Sequence, residues 1–347
     1  MVATAKTWLA LDVGGANLKG SHSSGTTLSL PFALWREPKR LGAALAGFAK
    51  AFPCFDRLAL TTTAELCDCY ATKRIGVLAV LDAVAKAFPK IPIAVWGVDG
   101  RLHPVAEIRA APRLAAAANW LALATVAARL IEHERGVLID VGSTTTDLIP
   151  LYEGRPVPCG WTDAERLQTG ELVYLGVRRT PVCALAEALP FRGRPTALTA
   201  ELFATTLDLF LTLGDCAENP HDRETADGRP ATRDHARDRL ARMVGADREE
   251  CSADDVRLLA EAAREAILAR LVAAANRAGL LGDGRPAVAI ISGSGEFLAA
   301  RLAARILGSQ GRIVSLSQCW GPDAGRAACA WALRLLAEAE TTSFAGG

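Results

Sequence analysis

Residues 137–150 read VLIDVGSTTTDLIP, and residues 9–20 read LALDVGGANLKG. Each is an apolar run that meets an acid, Asp140 or Asp12, and then a turn of small residues. The apolar runs predict buried strands. A tight turn between strands exposes successive backbone N–H groups, and Gly14 and Gly15 have no side chain to keep an anion off that backbone. Ser143, Thr144 and Thr145 add hydroxyl donors in the second turn. Asp12 and Asp147 flank these turns, and carboxylates beside a phosphate site make sense when a cation lies between, Mg2+ being the usual one. Lys19 offers the phosphate a point charge, and Asn17 is a further candidate contact. With the turns aligned, Lys19 falls opposite Asp147, so one unit is present twice.

Taken alone, an Asp-x-Gly-Gly sequence is more often an ordinary hairpin turn. Two in register change that balance, and a third feature adds to it. In AIISGSGEFLA, residues 289–299, a strand runs through Gly293, Ser294 and Gly295 into a helix, where N–H groups point at a ligand.

Each turn opens a similar series. Strands are expected at 8–13, 18–23 and 27–34, then helix 41–52, strand 57–61, helix 77–88 and strand 93–98. An Ala-rich helix is expected to start at Pro112 and run to about 131. The pattern restarts at 137 with strands 146–152 and 156–159. Helices are expected at 197–213, 254–278, 296–307 and 323–339, with strands at 287–291 and 312–316 and a frayed tail at 341–347. The whole reads as α/β, in two related lobes: residues 1–133, and residues 134–340 with a helical and loop insertion at about 163–247.

Half of the 347 residues are hydrophobic and 22% are charged, enough for a large core. The formal net charge is +1 and aromatics make up 6%, which argues against a nucleic-acid or anionic-membrane partner. The most apolar long stretch, 114–131, is interrupted by Asn119, Thr125 and Arg129 and reads as a packed helix, not a membrane span. Nine scattered cysteines with no CxxC pair fit the reducing cytosol, so a cytoplasmic location is expected. The mix at 215–235 (Asp215, Cys216, His221, Asp222, Asp227, His235) matches no zinc spacing and reads first as structural.

The two turns and the late Gly-rich junction resemble the two phosphate motifs and the adenosine motif of the actin-like ATPase superfamily. LDVGGANLKG, TTTAELCDCYATKRIGV (61–77), WGVDG (96–100), DVGSTTTDLIP, TGELVYLGVRRTPV (169–182) and HDRETADGRPATRDHARDRLARMVGAD (221–247) resemble, in order, the hydantoinase/oxoprolinase-like proteins of tetrahydromethanopterin-linked one-carbon transfer. The resemblance implies two RNase H-like lobes around a phosphate-binding cleft. It also implies a transferase: archaeal relatives join an aminomethylfuran methyl diphosphate to the phenol of γ-glutamyltyramine and release diphosphate. The implied partners are therefore small molecules, a furan diphosphate and a phenolic amine.

On that reading Gly14, Gly15, Asn17, Ser143, Thr144, Thr145, Gly293, Ser294 and Gly295 hold phosphate. Asp12 and Asp147 hold Mg2+, and Lys19 contacts phosphate. Glu65 is a candidate base, or binds the aminomethyl cation, or is simply an acid at a helix start. Lys73 binds phosphate or a carboxylate, or is surface charge. Glu171, Arg178 and Arg179 bind substrate or make structural ion pairs. Two rivals stay open: an ATP-dependent kinase or amide hydrolase, with ATP as ligand of the same motifs, and a nucleotide-gated scaffold. The acceptor phenol and the oligomeric state are not legible.

Overall fold

The computed structural model describes residues 6–344. It opens with β1 (Trp8–Val13), β2 (Asn17–His22) and β3 (Thr27–Pro31), followed by α1 (Leu41–Ala49), β4 (Arg57–Thr62), α2 (Lys73–Ala87), β5 (Ile93–Trp96), β6 (Leu102–Pro104), α3 (Val105–Ala110) and α4 (Asn119–Ala128). The first sheet has the order β3-β2-β1-β4-β5-β6. β2 is antiparallel to β1 and to β3, while β4 runs parallel to β1 and to β5. All six residues of β1 are buried, Asp12 among them, as its largely apolar run requires of a strand covered on both faces.

The series then repeats. β7 (Arg135–Val141), β8 (Thr146–Tyr152) and β9 (Arg155–Pro156) lead to α5 (Asp163–Thr169) and β10 (Leu172–Val173). A hairpin follows, β11 (Ala188–Phe191) and β12 (Arg194–Ala197), then α6 (Thr206–Leu213), α7 (Arg233–Arg242) and α8 (Ala253–Arg277). β13 (Val288–Ser292), α9 (Glu296–Ile306), β14 (Arg312–Ser315), α10 (Leu316–Trp320), α11 (Pro322–Arg326) and α12 (Ala328–Phe344) complete the chain. The second sheet has the order β10-β8-β7-β13-β14, with β9 added beside β8. Counted from its first strand, the first sheet therefore runs third-second-first-fourth-fifth with β6 added at the edge, and the second runs the same way when β9 and β10, which both pair with β8, are taken together as its third strand. That is the RNase H-like arrangement of actin-like folds, present twice.

Two compact units result. One comprises Met1–Leu138, Ile149–Asp163 and Val314–Gly347; the other comprises Ile139–Leu148 and Ala164–Ile313. This partition differs from a division at 133/134, because α12 packs on β1, β2, β4 and α4.

Helix ends follow the sequence where local chemistry dominates. Ser252 and Asp255 form a reciprocal capping box at the start of α8, and Thr205 with Asp208 does the same for α6. Three expected helices are cut by tertiary demands. The 112–131 stretch is a 3-10 turn at Pro112–Ala115, a break in which Ala117 has φ 50°, and then α4. Residues 197–213 hold only α6, because the preceding segment leaves the β12 hairpin and bridges Pro181 to Thr205. The expected 323–339 helix is divided at Ala327, between α11 and α12, and α11 starts after Gly321, whose φ of 90° favours glycine. α12 extends to Phe344, and the remainder of the expected tail, 345–347, lies outside the described residues. Among the described residues no helix is long and apolar enough to cross a membrane.

Candidate functional site

The two glycine turns close in the same way. Gly14 donates its N–H to the carbonyl of Asn17 at 3.0 Å, and Gly142 donates to Thr145 at 2.9 Å. Among the described residues the amides of Gly15 and Ala16 donate to no chain oxygen, so they are available to an anion. A Cβ on Gly15 would lie 2.7 Å from Sγ of Cys67, which seats the thiol directly against this turn.

In the first unit, strand register gathers the polar residues. Asp12 pairs with Lys19 on β2 and with Thr61 on β4, so the three side chains share one face. Lys19 Nζ lies 3.9 Å from Asp12 Oδ2. Asp12 is buried, and its Oδ1 has no partner. Burial pushes its carboxyl above the usual range, against the opposing pull of Lys19 and of a hydrogen bond from Asn119. The buried hydroxyl of Thr61 is likewise unpartnered. An orphaned carboxylate oxygen beside an orphaned hydroxyl suits a hydrated divalent cation, so Asp12 fits the Mg2+ role.

Glu65 is 1% exposed and sits in the turn between β4 and α2. A Cβ on Gly76 would lie 2.4 Å from the Glu65 carbonyl oxygen, so α2 approaches this backbone as closely as only glycine permits. Burial, with a smaller push from Asp163, raises the Glu65 carboxyl to about 7 against the opposing pull of Lys73 and of the backbone at Glu65 and Ala117. Lys73 begins α2, where a cation faces the positive end of the helix dipole. It is held there by Asp163 at 2.8 Å.

In the second unit, the segment after β10 wraps the serine–threonine turn. Val177 N–H donates to Gly142, and those of Arg178 and Arg179 both donate to the Ser143 carbonyl at 3.0 Å. Gly293 and Gly295 complete the arrangement. A Cβ on Gly293 would fall 2.3 Å from the Val141 carbonyl and 2.6 Å from Asp140 Oδ1, and one on Gly295 between the side chains of Val141 and Val177. Ser143, Thr144 and Thr145 are thus brought together with the Gly293–Ser294–Gly295 junction that starts α9, and Ser294 is exposed there.

Other candidates have structural partners. Asp147 Oδ1 accepts from Arg166 Nη2 at 2.5 Å, and that arginine is almost wholly buried. Asp147 therefore has its charge matched already, which makes it a poorer cation ligand than Asp12. Glu171 is fully buried and accepts the Thr169 hydroxyl at 2.9 Å, while Arg178 pairs with Asp222 at 2.6 Å. Arg179 is exposed beside the turn. Arg166 and Asp163 were not singled out from the sequence. Both lie on a short, charged helix that reads as surface, and only the partner of each marks it.

In the 215–235 cluster, Asp227 is held at about 2: burial pushes its carboxyl up, but Arg229 and the buried Arg239 outweigh it. Among the described residues no group of three or more His, Cys, Asp or Glu is placed to hold a metal.

Residues 57–319 match the hydantoinase/oxoprolinase family model. The chain is 37% identical over 251 residues to the (4-{4-[2-(γ-L-glutamylamino)ethyl]phenoxymethyl}furan-2-yl)methanamine synthase of Methanocaldococcus jannaschii, covering 72% of this chain and 74% of that protein. It is 37% identical over 119 residues to the synthase of the same name from Methanococcus vannielii, 34% of this chain and 53% of that protein. Among solved structures, the activator of 2-hydroxyisocaproyl-CoA dehydratase from Clostridium difficile with bound ADPNP aligns at TM-score 0.46 and 12% identity, over 98% of each chain. An archaeal actin homolog in complex with ADP aligns at TM-score 0.46 and 15% identity, over 96% of this chain and 99% of its own. The chain belongs to the hydantoinase/oxoprolinase family.

Proposed function

We propose that this chain is a transferase of methanofuran-type cofactor biosynthesis. It joins the methylene carbon of an aminomethylfuran methyl diphosphate to the phenol oxygen of a γ-glutamyltyramine-like acceptor. The bond from that carbon to the diphosphate oxygen breaks, and its electron pair leaves with diphosphate. The new carbon–oxygen bond forms from the phenol, whose proton passes to a base or to water. The observation that carries this reading is the 37% identity, over 72% of the chain, to a synthase whose name describes that ether product.

The furan ring stabilises positive charge at its methylene as the bond breaks, which leaves the protein two tasks. It must stabilise the departing diphosphate and hold the phenol oxygen at the emerging carbon. Within the first unit we assign phosphate contacts to the Gly15 and Ala16 amides; within the second, to the hydroxyls of Ser143, Thr144 and Thr145 and the Gly293–Ser294–Gly295 backbone. Asp12 would hold Mg2+, which supplies charge neutralisation to the diphosphate when bound. Lys19, on the same face, adds a further positive charge.

The test is a product assay with purified protein, Mg2+, the furan diphosphate and γ-glutamyltyramine, with and without ATP. Coupled ether by mass spectrometry, in step with released diphosphate and independent of ATP, is the expected result. ATP hydrolysis with no ether would overturn the proposal.

A further inference from the structure

Glu65 is a buried carboxylate whose charge the chain does not balance. Its Oε2 has no partner, although the residue is 1% exposed. Among the charged side chains, Asp163 and Lys73 act most strongly on it. Lys73 is bonded to Asp163 at 2.8 Å, so that cation is matched to the other acid. With Glu65 ionised, two carboxylates face one ammonium, and a single negative charge is left over in a desolvated place. Proteins seldom leave such a charge unmatched, because removing it from water costs several kcal/mol.

The surroundings narrow what would match it. The backbone N–H of Ala117 is among the groups that hold the Glu65 carboxyl down, and Ala117 has a left-handed φ of 50° that a non-glycine residue adopts at some cost. Close in sequence to these neighbours, Trp120 follows Ala117 and Trp161 precedes Asp163. The two indoles form a tilted pair with centroids 6.3 Å apart, and Trp161 is 46% exposed. A buried carboxylate lacking one cation is the chemistry that recognises a lone primary ammonium.

We propose that Glu65 binds the primary ammonium of the furan donor, with Asp163 and Lys73 as the ion pair that keeps exactly one charge open. This rests on the transferase reading above. The donor is favoured over the acceptor because its aminomethyl group is a lone cation. A glutamyl α-ammonium brings its own carboxylate, which would stand beside Glu65 and Asp163 with Lys73 already engaged.

Calorimetric titration tests this with two ligands: the aminomethylfuran diphosphate and the same compound with methyl in place of aminomethyl. The wild-type protein is expected to bind the first roughly a hundredfold more tightly, as for a buried, hydrogen-bonded charge pair that loses one member. Glu65→Gln is expected to bind both with similar affinity. Equal binding of the two ligands by the wild type would overturn the inference, with no variant needed. So would discrimination that survives in Glu65→Gln. Binding of neither furan by the wild type would overturn the transferase reading and this inference together. Discrimination that follows the glutamyl amine of the acceptor, and not the furan amine, would overturn the inference alone.

Discussion

The Cβ that Gly176 lacks would lie 2.4 Å from the amide nitrogen of Thr144. Backbone meets backbone there, with no side chain to swing aside. Gly176→Ala should therefore displace the 142–145 turn. A loss of about 1–3 kcal/mol in denaturant unfolding is expected, together with a collapse of diphosphate binding measured by titration.

Gly15 presents a different obstacle, since its missing Cβ would meet Sγ of Cys67. Gly15→Ala should weaken diphosphate binding, and adding Cys67→Ala should restore much of it. A double-mutant cycle on ligand affinity reads this coupling, for which 0.5–3 kcal/mol is the usual range for residues in contact. Additive effects would place the thiol away from the turn.

Asp12→Asn keeps the shape and removes the charge. Turnover should fall by roughly two orders of magnitude or more, the scale of losing one preorganised electrostatic group. The melting temperature should hold or rise, because burial already disfavours the charged form. Steady-state kinetics across a Mg2+ series, alongside a melting curve, separates the two effects.

Glu65 links stability to pH. Its carboxyl moves from 4.5 to about 7 on folding. A raised pKa means the folded state binds the extra proton, so this contribution is whole below pH 4.5 and is lost as pH rises through about 7. At 1.36 kcal/mol per pH unit, the loss reaches about 3 kcal/mol. Without substrate, Glu65→Gln should melt above the wild type at pH 8, and the gap should close by pH 4.

Arg166 is buried and pairs with the half-buried Asp147, and removing one partner strands the other. Arg166→Ala should cost about 3–5 kcal/mol, and Arg166→Ala with Asp147→Asn should cost less than the single change. Denaturant midpoints of the three variants decide it.

The strands and both turns were legible because their signals are local. A buried strand needs a mostly apolar run, and a tight turn between strands needs small residues at its tip. Asp12, Gly14 and Gly15 could be picked out for the same reason. The break at 116–118 could not, since alanine is the best helix former and nothing in an alanine run announces the left-handed φ of Ala117. Arg166 was hidden by its setting in DAERLQT, where nothing local distinguishes a buried guanidinium from a solvated one. Lys73 carried a faint signal: a lysine in the first turn of a helix opposes the dipole and asks for a partner, but Asp163 lies ninety residues on. Arg178 was noticed for its chemistry, yet its side chain turns to Asp222, while its backbone N–H is what grips the Ser143 turn.

The packing of α12 against β1, β2, β4 and α4 has a consequence for synthesis. Translation delivers the first sheet early and the helix that covers it only after the strands of the second sheet. Until residues 328–344 leave the ribosome, one face of β1 and β4 has no cover, and β1 is among the most apolar strands of the described residues. The nascent polypeptide must therefore hold an unfinished sheet while the second one is made. A chaperone that binds apolar strands would find its substrate during that interval, and release would wait for α12.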